Sequence, residues 1–118
     1  MSELSEQSCI PCRGDVPPMG RSEIDEMMTH LHDDWQLVER NDVPRLRRTF
    51  SFGNFKQALD FTVAVGTVAE EQRHHPRIVT QWGSVTLDWW THKIKGLHAN
   101  DFVMASRSDG LYQREGAS

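Results

Sequence analysis

Cysteine is scarce in this chain, limited to Cys9 and Cys12, and no stretch approaches the roughly 20 apolar residues that a membrane-spanning helix needs. The opening MSELSEQSCIPC carries neither the basic nor the apolar region of a secretory signal. A cytoplasmic location with both thiols reduced is therefore expected. Positive charge is also short. The 13 Lys and Arg against 17 Asp and Glu leave a formal net charge of -4, which gives no field suited to a phosphate backbone, so nucleic acid is not an expected partner. No Gly-rich phosphate loop occurs either.

What remains is an ordinary globular composition at 118 residues, the size of one compact domain. A chain this short buries a core of one or two layers, so a site must lie on a sheet face, at an edge or at a subunit interface. Residues 1–20 hold Cys9-Ile-Pro-Cys12, Gly14, Pro17, Pro18 and Gly20 without helical or strand periodicity, and read as a flexible arm. Residues 21–108 read as the domain and residues 109–118 as a polar tail.

Within the domain, Ser22 is the expected N-cap of a first helix whose stripe is Ile24, Met27, Met28 and Leu31, ending near His32. Trp35–Arg40 alternates apolar and polar residues, Asn41-Asp42 and Pro44 punctuate it, and Leu46, Arg48, Phe50 and Phe52 alternate again. Arg45, Arg47 and Arg48 read as the solvated or anion-contacting polar side of that second strand. From Asn54 the period becomes helical, with Phe55, Ala58, Leu59, Thr62, Val65, Val68 and Ala69 as the apolar stripe of a long helix that must stop before Pro76. Ile78, Thr80 and Trp82 precede a Gly83-Ser84 turn, and Val85, Leu87, Trp89 and Thr91 then face opposite to Thr86, Asp88, Trp90 and His92. After Gly96 a short last helix begins at Phe102 and Val103. The predicted fold class is α+β, a four-stranded antiparallel sheet with helices packed on one face, in the order α-β-β-α-β-β-α.

The chemistry-bearing residues cluster late in the chain. Glu70 and His74 are four apart on one side of the last helical turn, His75 and Pro76 follow at once, and His92 lies one hairpin later. Three imidazoles can converge there, able to give or take a proton at cellular pH. Such a set suits expulsion of water from a carbon bearing both hydroxyl and nitrogen, which needs an acid for the oxygen and a base for the N–H. Zinc is the competing reading of three His and one Glu, although adjacent His74-His75 make an awkward chelate and no His-x-x-x-His pair is present. Cys9-x-x-Cys12 lacks a second ligand pair and a following helix, so it reads as two plain thiols; His30 and His32 are the residues that would complete a metal site there.

Glu70-x3-His74-His75-Pro76, then Trp82, His92 and Asp101 at their spacings, together with Gly53-x5-Leu59-x-Phe61 and Trp35-x-Leu37, resemble the signature of the pterin-4a-carbinolamine dehydratases across about residues 18 to 107. The resemblance implies a homo-oligomer, dimer or tetramer, that dehydrates 4a-hydroxytetrahydropterin to quinonoid dihydropterin without a cofactor or metal, in tetrahydrobiopterin recycling and coupled to an aromatic amino acid hydroxylase. It implies that His74, His75 and His92 form the acid/base and pterin-binding set, with His74 and His92 moving protons and His75 holding the pterin. Glu70, Pro76, Trp82 and Asp101 are then binding or orienting residues.

Plainer roles stand beside these. Asp101 suits any helix N-terminus, Glu70 any solvated helix, and Trp82 any cross-strand packing. Trp90 is expected either to stack on the heterocycle or to be covered by a second subunit. His98 stands where many relatives have a Ser or Thr helix cap and should weaken it, and Ile78 stands where some relatives have an aromatic, altering the pocket wall. A binding module that assists transcription or assembly without turnover is the alternative function.

Overall fold

The computed structural model describes residues 18–114. Its elements are α1 (Arg21–Met28), β1 (Gln36–Arg40), β2 (Val43–Ser51), α2 (Phe55–Gln72), β3 (Arg77–Gln81), β4 (Ser84–Trp89) and α3 (Ala99–Arg114), with a single 3-10 turn at His92–Ile94 before α3. The strands form one antiparallel sheet in the order β1-β2-β4-β3. Both hairpins are tight. Asn41 and Asp42 take the positive φ values of 53° and 63° that a two-residue turn of strand-matching twist demands, and Trp82-Gly83 joins β3 to β4.

Alternation sorts the sheet into two faces. Leu46 and Phe50 of β2 and Val85, Leu87 and Trp89 of β4 point to the helices and are fully buried or nearly so. Helix α2 covers them with Ala58, Phe61, Val65 and Ala69, spaced three or four apart. Phe55 and Leu59, expected in that stripe, are 46% and 43% exposed and lie with Val63 on the opposite side. The helix is apolar on two sides, and periodicity alone does not tell which side meets the sheet.

Local boundaries differ from the sequence in instructive ways. Helix α1 starts after Gly20, whose N–H reaches Glu23 Oε1 at 3.4 Å, and Ser22 falls inside the helix. Strand β4 ends at Trp89, so His92 sits in the 3-10 turn rather than on the strand. Arg48 points to the helix side, where its Nη1 donates to Asp109 Oδ1 at 2.8 Å; it is no solvated strand residue. Trp35 Nε1 donates to the same carboxylate at 3.0 Å. Burial pushes the Asp109 carboxyl above its usual range, opposed by these donors. Tyr112 then lays its ring against Phe50, Phe52 and Phe61. Residues 109–114, read as tail, are thus the last turns of α3, which is 16 residues long. Residues 1–17, with Cys9 and Cys12, lie outside the described part of the chain.

Ending the chain at Ser108 should therefore lower stability by about 3 kcal/mol or more, since it strips the partner from buried Arg48 and an aromatic ring from the core. Thermal unfolding should show a fall on the order of 10 °C or more. An unchanged midpoint would mean that these last turns do not hold the core together.

Candidate active site

The site is assembled where α2, β4 and α3 end or begin. Helix α2 stops at Gln72 because Arg73 adopts the left-handed conformation at φ 53°, and the N–H groups of Arg73 and His74 fold back onto the carbonyls of Glu70 and Ala69 at 3.2 and 3.0 Å. This 6→1 and 5→2 closure ends a helix cleanly. It turns His74 inward and leaves His75 outside.

His74 is 6% exposed, stacked on Trp89 with ring centroids 5.8 Å apart and planes within 10°. Its Nε2 lies 2.6 Å from Asp101 Oδ1. Asp101 is fully buried, and its other oxygen accepts from Thr91 Oγ1 at 2.8 Å and from the N–H of His98 at 2.9 Å. In return, His98 Nδ1 accepts from the N–H of Asn100 at 3.2 Å. His98 is therefore a competent N-cap, completed by Asp101 three residues on, in the reciprocal arrangement of a capping box. The weakened cap expected of His98 is not observed.

His75 is exposed, with Nε2 2.8 Å from Glu70 Oε1. His92 Nε2 lies 3.0 Å from the carbonyl oxygen of His75. A carbonyl only accepts, so this nitrogen carries the proton and Nδ1 is the lone-pair nitrogen of neutral His92. The carboxylates opposite His74 and His75 impose the same arrangement. All three rings thus keep Nε2 as donor and Nδ1 as the proton-accepting atom.

These contacts pair His74 with Asp101 and join His75 to Glu70 and, through its carbonyl, to His92, with Pro76 leading directly from His75 into β3. Trp82 is not with them. It is 69% exposed at the β3–β4 turn, roughly 20 Å of extended chain from His75. Ile78 points to the core side of the sheet, the side on which His74 stacks on Trp89. Trp90 is covered by its own chain: His92 stacks on it at 4.3 Å and the Arg45 guanidinium sits 3.8 Å from the ring centre. Sequence reasoning missed Thr91, Trp89 and Arg45 as supporting residues. Thr91, beside His92, was visible as a polar residue in an inward register; Arg45 needed the strand pairing.

Among the described residues, no group of three or more His, Cys, Asp or Glu is arranged to hold a metal ion. The fold and site define a small α+β protein whose proton-carrying histidines are anchored by buried and exposed carboxylates. A family model, pterin 4 alpha carbinolamine dehydratase, matches residues 17–111. Relatives from Chlorobium limicola and Nitrosococcus oceani, both named "Putative pterin-4-alpha-carbinolamine dehydratase", are each 50% identical, over 96% and 94% of this chain and 99% and 97% of their own. The chain belongs to the pterin-4a-carbinolamine dehydratase family. Among solved structures it resembles a transcriptional coactivator/pterin dehydratase from Brucella melitensis, with TM-score 0.72 and 28% identity over 80% of this chain and 97% of that one. It also resembles a pterin dehydratase-like protein described as a RuBisCO assembly factor in the alpha-carboxysome, with TM-score 0.58 and 25% identity over 74% and 95%.

Nitrogen-15 NMR should find neutral His74 and His92 as Nε2–H tautomers. An Nδ1–H form of either ring would contradict the hydrogen bonds that hold them.

Proposed function

We propose that the chain is a hydro-lyase that converts 4a-hydroxytetrahydropterin to quinonoid dihydropterin and water. In this reaction the C4a–O bond breaks as the oxygen takes a proton and leaves as water, while N5 loses its proton and the C4a=N5 bond forms. One acid and one base suffice. The observation that carries this reading is the buried His74–Asp101 contact of 2.6 Å, which holds an imidazole in one tautomer, with the exposed His92 following Thr91, another donor to Asp101. His74 and His92 are assigned to proton transfer. His75, braced by Glu70, is assigned to holding the pterin, and Asp101 to orienting His74. Trp82 has no assigned role within a single chain.

The same reading places the protein in the cytoplasm, recycling tetrahydrobiopterin beside an aromatic amino acid hydroxylase. No described helix is long and apolar enough to cross a membrane. Self-association belongs to it as well: Phe55, Leu59 and Val63 make an exposed apolar stripe along α2, of the kind that a second copy covers. A second function, assisting a transcription or assembly partner without turnover, is favoured by the two solved relatives, one a transcriptional coactivator/pterin dehydratase and the other a RuBisCO assembly factor.

The rate of 4a-hydroxytetrahydropterin loss, followed by ultraviolet absorbance, separates the two. The wild type should accelerate it, and His74→Ala and His92→Ala should each lose about 100-fold or more, the usual scale of general acid/base removal. A wild-type rate equal to the uncatalysed one leaves only the binding role. Light scattering should find a dimer or tetramer, and Leu59→Glu should lower the mass; a monomeric wild type would sink self-association.

A further inference from the structure

The sheet face turned away from the helices carries a charge pattern that the dehydration does not use. Strand pairing aligns Arg47, Asp88 and Arg77 in one row across β2, β4 and β3, with Arg45 two residues before Arg47 on the same face. Asp88 is fully buried and is held bidentately by Arg47, Nε to Oδ1 at 2.7 Å and Nη2 to Oδ2 at 2.9 Å. That pair is complete by itself. Arg45 and Arg77 nevertheless crowd in, with Nη1 atoms 3.7 and 3.6 Å from Oδ2, too far to hydrogen-bond it. Arg45 Nε is buried with no partner. Three cations against one anion (3 − 1) leave an excess of two positive charges on a chain whose net charge is -4. Like charges gathered this closely repel one another unless an anion joins them.

The patch is continuous with the histidines. Arg45 covers one side of Trp90, and His92 stacks on the same ring. His92 in turn meets the backbone of His75, and only Pro76 separates His75 from Arg77. The side chains of Arg47 and Arg77 are 34% and 41% exposed, so a ligand can reach them. The exposed carboxylate of the site, Glu70, is engaged by His75. The next row along the face is neutral, with Thr49 and Thr86 paired at 2.8 Å.

We propose that Arg77 and Arg47, backed by Arg45, form an anion subsite that takes a phosphate or carboxylate on the side chain of the bound pterin. The substrate of this protein is then a pterin with an anionic tail: the ring lies at His74, His75 and His92, and the tail runs onto the open sheet face. This rests on the pterin reading above.

Calorimetric binding of 7,8-dihydroneopterin and of its 3′-phosphate to the full chain tests both. Wild type should bind the phosphate ester about tenfold more tightly, the scale of one charge-assisted contact. The ratio should shrink as salt is raised. It should fall to about two or less in Arg77→Gln, a variant that leaves the Arg47–Asp88 pair in place, and should largely survive in Arg77→Lys. Equal affinity of wild type for the two ligands overturns the subsite while leaving the pterin reading intact. If neither pterin binds, the pterin reading fails, and inorganic phosphate alone decides: it should shift the Nε–H signals of Arg47 and Arg77, and unshifted signals overturn the subsite too.

Discussion

The buried carboxylate of Asp101 is bonded to three separate parts of the chain: His74 beyond the end of α2, Thr91 beyond the end of β4, and the backbone N–H of His98 at the start of α3. An ionised carboxylate without solvent is tolerable only with such a set of donors. Three element ends are therefore locked at one point, and the helix layer is tied to the sheet through a polar contact rather than by apolar packing alone. The capping of α3 and the orientation of His74 are consequences of the same group.

From that point the histidines divide by environment. His74 is sealed against Trp89 and fixed by a buried acid; His75 is exposed and braced by an exposed one; His92 rests on Trp90 and a backbone carbonyl. Three chemically identical rings thus differ in burial and in the partner of Nε2 while presenting the same nitrogen, Nδ1. On the proposed reading His74 and His92 move protons and His75 holds the ligand. The open sheet face adds a second recognition surface, linked to His92 through the Arg45–Trp90 stack.

Much of this was legible in the sequence, for reasons that can be stated residue by residue. Alternation in β4 placed Val85, Leu87 and Trp89 correctly on the core side, and Pro76 correctly required α2 to end before it. The resemblance through Glu70, His74-His75-Pro76, His92 and Asp101 led to the family. Tertiary packing hid the rest. Helix α2 is apolar on two sides, so Phe55 and Leu59 looked like core although Phe61 takes that place. Asp109 and Tyr112 are ordinary tail residues until Trp35, Arg48 and Phe50 are seen beneath them. Trp90 looked uncovered because its cover, Arg45, lies 45 residues earlier in the chain, on a strand whose register no local pattern reveals.

On the proposed reading Asp101 orients His74 for proton transfer, and stopped-flow dehydration of 4a-hydroxytetrahydropterin by Asp101→Asn probes that role, because Asn keeps an acceptor for Thr91 and His98 but turns an N–H toward His74 Nε2. The neutral ring must then carry its proton on Nδ1, so the nitrogen that should accept a proton is already occupied. The variant should be folded by circular dichroism, with kcat lowered by about 100-fold or more and KM little changed, in keeping with the loss seen when a catalytic imidazole is forced into the wrong tautomer. A folded variant that keeps wild-type kcat would mean that Asp101 does not act through His74.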